Sequence, residues 1–434
     1  MKQIKKIQYY LLISSALLII NSKSFGQYHK CGTMDNYQIQ KKHNNAYFQS
    51  VQEAESTARK WQLINGNKTS TQNILYVPVI FHCIYKSQSD ATYLADSIFN
   101  RQIDVMNETY SLSNPNFTST RSIFDTIAAD TEIRFCLAGQ DTLGNPISGI
   151  LRYQSNQNWL SSITTDAIKT AYPPWNPAKY LNVWTCDMSL LGIPIVLGYS
   201  SFPGGPPAKD GIVLQSQFVG YQNNGTENNL GRTMVHEAGH WLGLRHIWGD
   251  GQQSSSPCDS TDYVEDTPHA SDASQTDCDT TKNTCSAEDS YWTQLGIDPP
   301  DMVENYMDYS KDGCMTMFTK GQKARMWSFI NTYRSGLLLN PVSCNMVGMS
   351  STDINQINAV LFPNPADKTL SIKLLNTFEE PFSVEFTDFT GKRVAVIHEM
   401  LKQQNINVSE FEKGVYFVRL IFKNNFIIKK FIKE

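Results

Sequence analysis

Apolar and polar positions divide the chain into stretches of different character. Residues 1–26 begin with Lys2, Lys5 and Lys6 and run into a mostly apolar segment, Leu11 to Ile20. Residues 27–72 are polar, rich in Gln, Asn, Lys and Ser, with little apolar periodicity, so they bury no core of their own. The pattern then changes. Residues 74–85 are nearly continuous in apolar side chains, which predicts a strand covered on both faces; Pro78 interrupts its ladder locally. Leu94, Ile98, Ile103 and Met106 recur at helical spacing within residues 91–110. Residues 133–138 and 181–188 predict two more strands, and the proline-bearing region 140–180 between them is expected to be mostly loop. Residues 197–203 and 210–214 predict an edge strand and the strand after it, joined by a Gly/Pro-rich loop. A helix is expected from near Asn228 to near Gly243. Another opens at residues 318–322, with Met326, Phe329, Ile330 and Tyr333 on one face and Asn340-Pro341 at its end.

Beyond residue 340 the periodicity shortens. Residues 341–354 carry Ser, Thr and Gly and are expected to be a linker. In residues 355–434 short apolar runs at 370–374, 384–386, 394–397 and 415–420 alternate with turn signals such as Pro363-Asn364-Pro365 and Lys413-Gly414. The expected architecture is an α+β domain at 73–340 followed by a small all-β sandwich at 355–434. The α+β domain would hold a mixed, mostly parallel twisted sheet, a long helix and a loop-rich C-terminal part.

Composition adds the compartment. The lysines, the apolar segment and Ser24-Phe25-Gly26 have the form of a signal peptide cleaved before Gln27. The apolar run is too short to span a bilayer, and no stable membrane span is expected. A net charge of −4 gives no sign of nucleic-acid binding. Nine cysteines in an exported chain predict disulfides, with one cysteine left over. Cys258, Cys278, Cys285 and Cys314 cluster, and their spacing leaves three pairings open. Cys83, Cys136 and Cys186 lie in apolar, strand-like runs and are expected to be buried free thiols; Cys31 and Cys344 stand apart.

The chemistry is concentrated in His236-Glu237-Ala238-Gly239-His240-Trp241-Leu242-Gly243-Leu244-Arg245-His246. His236 and His240 share a helix face one turn apart. Glu237 is placed to reach a water on a metal they hold. Gly243 can take the left-handed conformation that ends the helix and brings His246 back as a third ligand. Three nitrogens and an open position describe a catalytic zinc site rather than a closed structural one. Glu237 is then the general base of a peptide hydrolysis. The reading from another class is a surface adhesion or binding protein that keeps a protease-like fold without activity; the retained Glu237 argues against it.

The extended histidine motif, with Asn305-Tyr306-Met307-Asp308-Tyr309 downstream as a Met-containing turn, resembles the metzincin zinc endopeptidases. Residues 231–248 and 305–326, with the cysteines between them, look like the pappalysin family and most resemble its microbial, ulilysin-like branch, the cytophagalysins. The resemblance implies several roles. Met307 is an apolar floor under the histidines, and Tyr309 is a hydrogen-bond donor to the oxyanion. Cys258–Cys285 and Cys278–Cys314 are the disulfides. A structural calcium site is implied in residues 262–268, with Asp262 and Thr267 as side-chain ligands and Glu265 and Asp266 less certain; the segment offers the hard oxygens calcium prefers. Lys30-Cys31-Gly32-Thr33 is similar to segments of cytophagalysin pro-segments. There the cysteine thiolate would take the open zinc position, which makes residues 27–72 a pro-segment and the chain a zymogen. Arg59-Lys60 and Lys68 are basic sites where removal could occur. Members that prefer a basic residue after the scissile bond carry an acid just before the equivalent of Cys314. Here that position is Gly313, with Asp312 one earlier, which leaves the preference open. The C-terminal residues resemble the sorting domain of type IX secretion substrates. The expected partners are protein or peptide substrates and the type IX machinery. The expected location is outside the cell or on its surface, after export through the periplasm.

Overall fold

The computed structural model describes residues 29–66, 74–221, 229–249, 257–274, 278–286, 290–338, 344–345, 359–374, 382–388, 393–400, 403–422 and 425–434. The expected signal peptide (1–26), Lys68 and most of the expected linker lie outside them. Contacts divide the chain into two units, Met1–Met346 and Val347–Glu434.

The first unit is built on the apolar run at 74–85. A β1 strand (His29–Cys31) precedes it, and the run itself is β2 (Leu75–Tyr85), buried along nearly its whole length. On one side β2 pairs in parallel with β3 (Ile133–Ala138) along its first half and β4 (Ile150–Gln154) along its second. On the other it pairs in parallel with β5 (Leu181–Cys186). A two-stranded hairpin follows, β6 (Ser189–Leu190) and β7 (Ile193–Pro194). It leads into β8 (Val196–Ser200), antiparallel to β9 (Ile212–Gln215), which is parallel to β5. Two short strands extend the sheet at its ends. β1 lies parallel to β8, and β10 (Cys344–Asn345) lies antiparallel to β3. The mixed, mostly parallel sheet thus runs β1-β8-β9-β5-β2-β3-β10.

Five helices matter here: α1 (Thr33–His43), α2 (Asn45–Asn65), α3 (Asp96–Tyr110), α4 (Arg232–Trp241) and α5 (Lys320–Thr332). One core cluster joins Val79 and Phe81 of β2, Phe99 and Met106 of α3, Val235 of α4 and Trp327 of α5. α5 begins as its sequence implies: Thr319 accepts from the Gln322 amide while the Gln322 side chain accepts from the Thr319 amide, a capping box. His82 is a packed core residue, bonded to Asn182 at 3.0 Å and stacked on Trp184; burial lowers its pKa to about 4.

Several expectations need correction. α5 stops at Thr332, short of Asn340-Pro341, and Tyr333 is 38% exposed. Region 140–180 is mostly loop, as expected, interrupted by β4 and two short helices, Ser162–Thr165 and Ala167–Ala171. Cys136 is not a free thiol: it bonds Cys344, 208 positions away. The expected linker therefore begins inside the first unit, because β10 docks on β3 and brings Cys344 to Cys136. Among the described residues Cys83 and Cys186 are buried and free, as expected. Residues 29–66 have no core of their own but form helices against the sheet unit. Tyr37, Tyr47 and Val51 pack with Phe202, and Ala54 and Ala58 pack with Phe329. Sparse alanines and tyrosines carry that apolar face, which is why its periodicity is faint.

The second unit holds two antiparallel sheets. One is β11 (Ala359–Phe362), β12 (Thr369–Leu374) and β15 (Gln403–Asn407). The other is β14 (Arg393–Met400), β13 (Phe382–Asp388), β16 (Gly414–Phe422) and β17 (Asn425–Lys433). Leu370, Ile372, Val384, Phe386, Val418 and Leu420 fill the core between them, the expected sandwich. No helix among the described residues is long and apolar enough to cross a membrane.

Candidate active site

α4 carries His236, Glu237 and His240, all buried. Leu242 caps the helix, and Gly243 has φ 94°, as the turn requires. A Cβ at Gly243 would also fall 2.1 Å from the Phe329 ring, so both backbone and packing demand glycine. The chain then returns His246 to the other two. Their Nε2 atoms lie 3.1 Å (His236–His240), 3.1 Å (His240–His246) and 3.2 Å (His236–His246) apart.

The tautomers follow from the partners. His236 Nδ1 faces the Tyr306 carbonyl at 2.7 Å, and His240 Nδ1 faces the Leu244 carbonyl at 2.9 Å. A carbonyl only accepts, so each Nδ1 carries the proton and each Nε2 presents a lone pair. Burial and the neighbouring imidazoles hold His240 well below its usual pKa, in the neutral form a metal needs. Such lone pairs turned on one another at about 3 Å are stable only around a cation. The donor set fits zinc, for which imidazole is a preferred ligand.

The fourth member is Cys31. Its sulfur and the three imidazole nitrogens lie within 4.8 Å of one another, the only such group of potential ligands among the described residues. β1 holds it there: Cys31 pairs with Gly198 of β8, and the next amide, Gly32, donates to the Gly198 carbonyl at 2.8 Å. Thr33 follows. Its hydroxyl donates to Glu237 Oε2 at 2.8 Å and accepts from the Ser200 amide at 2.8 Å. The other carboxylate oxygen, Glu237 Oε1, is buried with no hydrogen-bond partner among the described residues. Burial pushes the Glu237 carboxyl up to about 8, although its bonds to Thr33 and Cys31 pull it down.

Met307 lies directly beneath α4. A Cβ on Gly239 would stand 2.4 Å from its sulfur, so the helix rests on the methionine at a position with no side chain. The turn is pinned by Asn305, which accepts from the Met307 amide at 2.9 Å and exchanges two amide bonds with Gln322 of α5. Tyr309 packs 5.0 Å from His246 and 5.7 Å from His236, and its hydroxyl donates to the Cys31 carbonyl at 3.3 Å.

Cys258–Cys285 and Cys278–Cys314 are paired in the loop-rich part. In the acidic segment, the Thr267 hydroxyl lies 2.8 Å from Asp262 Oδ2 and 2.9 Å from the Val264 carbonyl. With Asp262 ionised, three oxygens share one proton, a set of lone pairs that suits a hard cation. Burial raises the Asp262 carboxyl to about 8. Asp266 is turned elsewhere, accepting from the Thr319 hydroxyl at 2.6 Å and the Gly321 amide at 2.7 Å at the start of α5. Glu265 is exposed.

The sequence does not announce what Thr33, Asn305, Gln322 and Asp312 do. Thr33 was visible beside Cys31, yet nothing local ties it to Glu237. Asn305 and Gln322 meet only in the fold. Asp312 is buried and accepts from the Leu230 amide at 3.0 Å, at the start of α4. It also lines a small pocket beside His236 with Arg232, Thr233, Asp308 and Met315. Gly313 next to it is exposed, with open space where a side chain would stand.

Known proteins resemble this chain in sequence and in fold. The family described as pregnancy-associated plasma protein-A matches residues 163–331, and the secretion system C-terminal sorting domain matches 360–434. An extracellular metalloprotease of Colletotrichum graminicola is 34% identical, over 66% of this chain and 86% of its own. One from Pyricularia oryzae is 32% identical, over 66% and 84%. Among solved structures, a promirolysin point mutant from Tannerella forsythia superposes with TM-score 0.59 and 29% identity, covering 72% of this chain and 97% of its own. Mature mirolysin of the same organism, in complex with a cleaved peptide, gives TM-score 0.52 and 31% identity, covering 62% and 96%. The sorting domain and the extracellular relatives indicate a protein that is secreted or held at the cell surface. The chain belongs to the pappalysin family of metalloendopeptidases and ends in a type IX secretion sorting domain.

Proposed function

We propose that the chain is the zymogen of a zinc endopeptidase, with Glu237 as general base and residues 27–72 as an inhibitory pro-segment. The observation that carries this is the placement of the Cys31 sulfur among three imidazole nitrogens, with Thr33 on the carboxylate beside them. The wider match to promirolysin (72% of the chain) than to mature mirolysin (62%) supports it.

His236, His240 and His246 would hold the zinc. When bound there, zinc supplies a Lewis acid that polarises the scissile carbonyl and acidifies an attacking water. Glu237 takes the proton of that water and passes it to the leaving amine. Tyr309 donates to the carbonyl oxygen as charge builds on it. A substrate adds along β8 through its backbone groups, which explains tolerance of varied side chains. In the latent form β1 fills that edge, Cys31 would be the fourth ligand, the Thr33 hydroxyl holds Glu237, and Tyr309 bonds the Cys31 carbonyl. Asp262, Thr267 and the Val264 carbonyl would hold a structural calcium.

The test is hydrolysis of casein by the matured enzyme, with elemental analysis for zinc. We expect one zinc per chain, activity abolished by chelation and restored by zinc. A Glu237→Gln variant should retain the metal and lose activity by about a hundredfold to ten-thousandfold. A variant that keeps its zinc and still digests casein would overturn the assignment of the base.

A further inference from the structure

The hairpin of β6 and β7 carries four aliphatic side chains into solvent: Leu190 is 54% exposed, Leu191 95%, Ile193 56% and Ile195 37%. The tip is also conformationally costly. Leu191 and Gly192 both have positive φ, 51° and 81°, as in a type I′ turn, where Asn-Gly or Asp-Gly is the usual choice. A leucine there is unfavourable twice over, for its backbone and for its exposure. The root, by contrast, is fixed. Asp187 is bonded to Lys86 Nζ at 2.6 Å and accepts from the Ser189 amide at 2.9 Å, and Asn158 Nδ2 donates to the Ser189 carbonyl at 2.8 Å. Met188 and Val196, on either side, are buried in one cluster.

The hairpin's position gives this exposed surface a use. A single residue, Ile195, separates β7 from β8, the edge already paired with β1. We propose that the hairpin is an exosite that takes apolar side chains of an extended, unfolded protein substrate lying along β8. The proposal rests on the protease reading above. Ile193 stands five residues from Gly198, opposite the Cys31 position, so a bound strand reaches it roughly 16 Å from the reaction centre. Long substrates span that distance and short peptides do not. No lysine or arginine occurs between Lys179 and Lys209, and Lys86 at the hairpin root is paired with Asp187, so the surface carries no cluster of cations with which to favour an anionic lipid bilayer.

The test uses the full chain, expressed whole and allowed to mature, with Leu191→Asn and Ile193→Thr combined. Both sites are exposed, and asparagine tolerates the positive φ. For unfolded, alkylated casein, KM should rise about fivefold or more, while kcat/KM on a four-residue fluorogenic peptide, about 13 Å when extended, stays unchanged. Unchanged casein kinetics would overturn the proposal. So would a variant that, with those kinetics intact, loses only self-association in gel filtration or only binding to phosphatidylcholine vesicles. Equal loss on both substrates would also overturn it, by showing a general structural effect. An unsubstituted enzyme inactive on both substrates would remove the protease reading and this inference with it.

Discussion

The Thr33 hydroxyl bridges Glu237 Oε2 and the Ser200 amide, each at 2.8 Å. One side chain thereby ties the proposed base on α4 to the strand where substrate is expected to lie. Replacing it with valine keeps the shape and removes both bonds. Two ordinary hydrogen bonds are together worth about 1–3 kcal/mol. Thr33→Val should therefore speed maturation of the purified precursor by about tenfold, followed as the mature band on gels. An unchanged rate would show that the hydroxyl restrains nothing.

Tyr309 touches the N-terminal segment now and would face the substrate carbonyl once that segment leaves. In the matured enzyme Tyr309→Phe should lower kcat on the order of a hundredfold with KM little altered. A change confined to KM would make the residue a packing element.

Glu55 of α2 meets Arg325 of α5 in a buried, two-pronged ion pair, 2.8 and 2.7 Å. Burial alone would raise the Glu55 carboxyl, but the Arg325 guanidinium brings it down to about 2. Its unfolded value is about 4.3. The folded value is the lower one, so the stabilisation, roughly 3 kcal/mol, is complete above pH ~4.3 and is lost as pH falls toward 2. The melting-temperature gap between the precursor and its Glu55→Gln variant should be full at pH 7 and close over that window. A gap independent of pH would refute the linkage.

The Asp262 segment should respond to calcium. Saturating calcium, at about a hundred times its dissociation constant, stabilises a site by about 2.7 kcal/mol. For a domain of about 300 residues that raises the melting temperature by about 4 °C. Asp262→Ala should abolish the shift. Equal melting curves with and without chelator would remove calcium from the segment.

What could be read in advance follows the range of each interaction. The histidine motif is legible because a helix fixes where residues one turn apart must point, and Gly243 announces the turn that returns His246. The helix start at residues 318–322 is legible too, and in the fold it is closed by the capping box of Thr319 and Gln322. Contacts between distant residues are not. Cys136 looks like any core thiol until β10 docks beside it, and Glu55 looks like a surface carboxylate in a polar stretch. Its partner is 270 positions away, and no local pattern announces a meeting at that separation. Arg59 and Lys60, read as cleavage sites, lie within α2, where Arg59 is bonded to Glu55 and its guanidinium sits 3.5 Å from the Tyr263 ring.

The parallel pairing of β1 with β8 bears on how the enzyme would be switched on. If the N-terminal segment is inhibitory, as proposed, the tether of the intact chain holds β1 at a high effective concentration beside β8. A cut after Asn65 would break no contact in the groove. It would turn an intramolecular inhibitor into a free one, which then departs at its own off-rate and is lost by dilution. Outside the cell, where volume is unlimited, that departure is one-way.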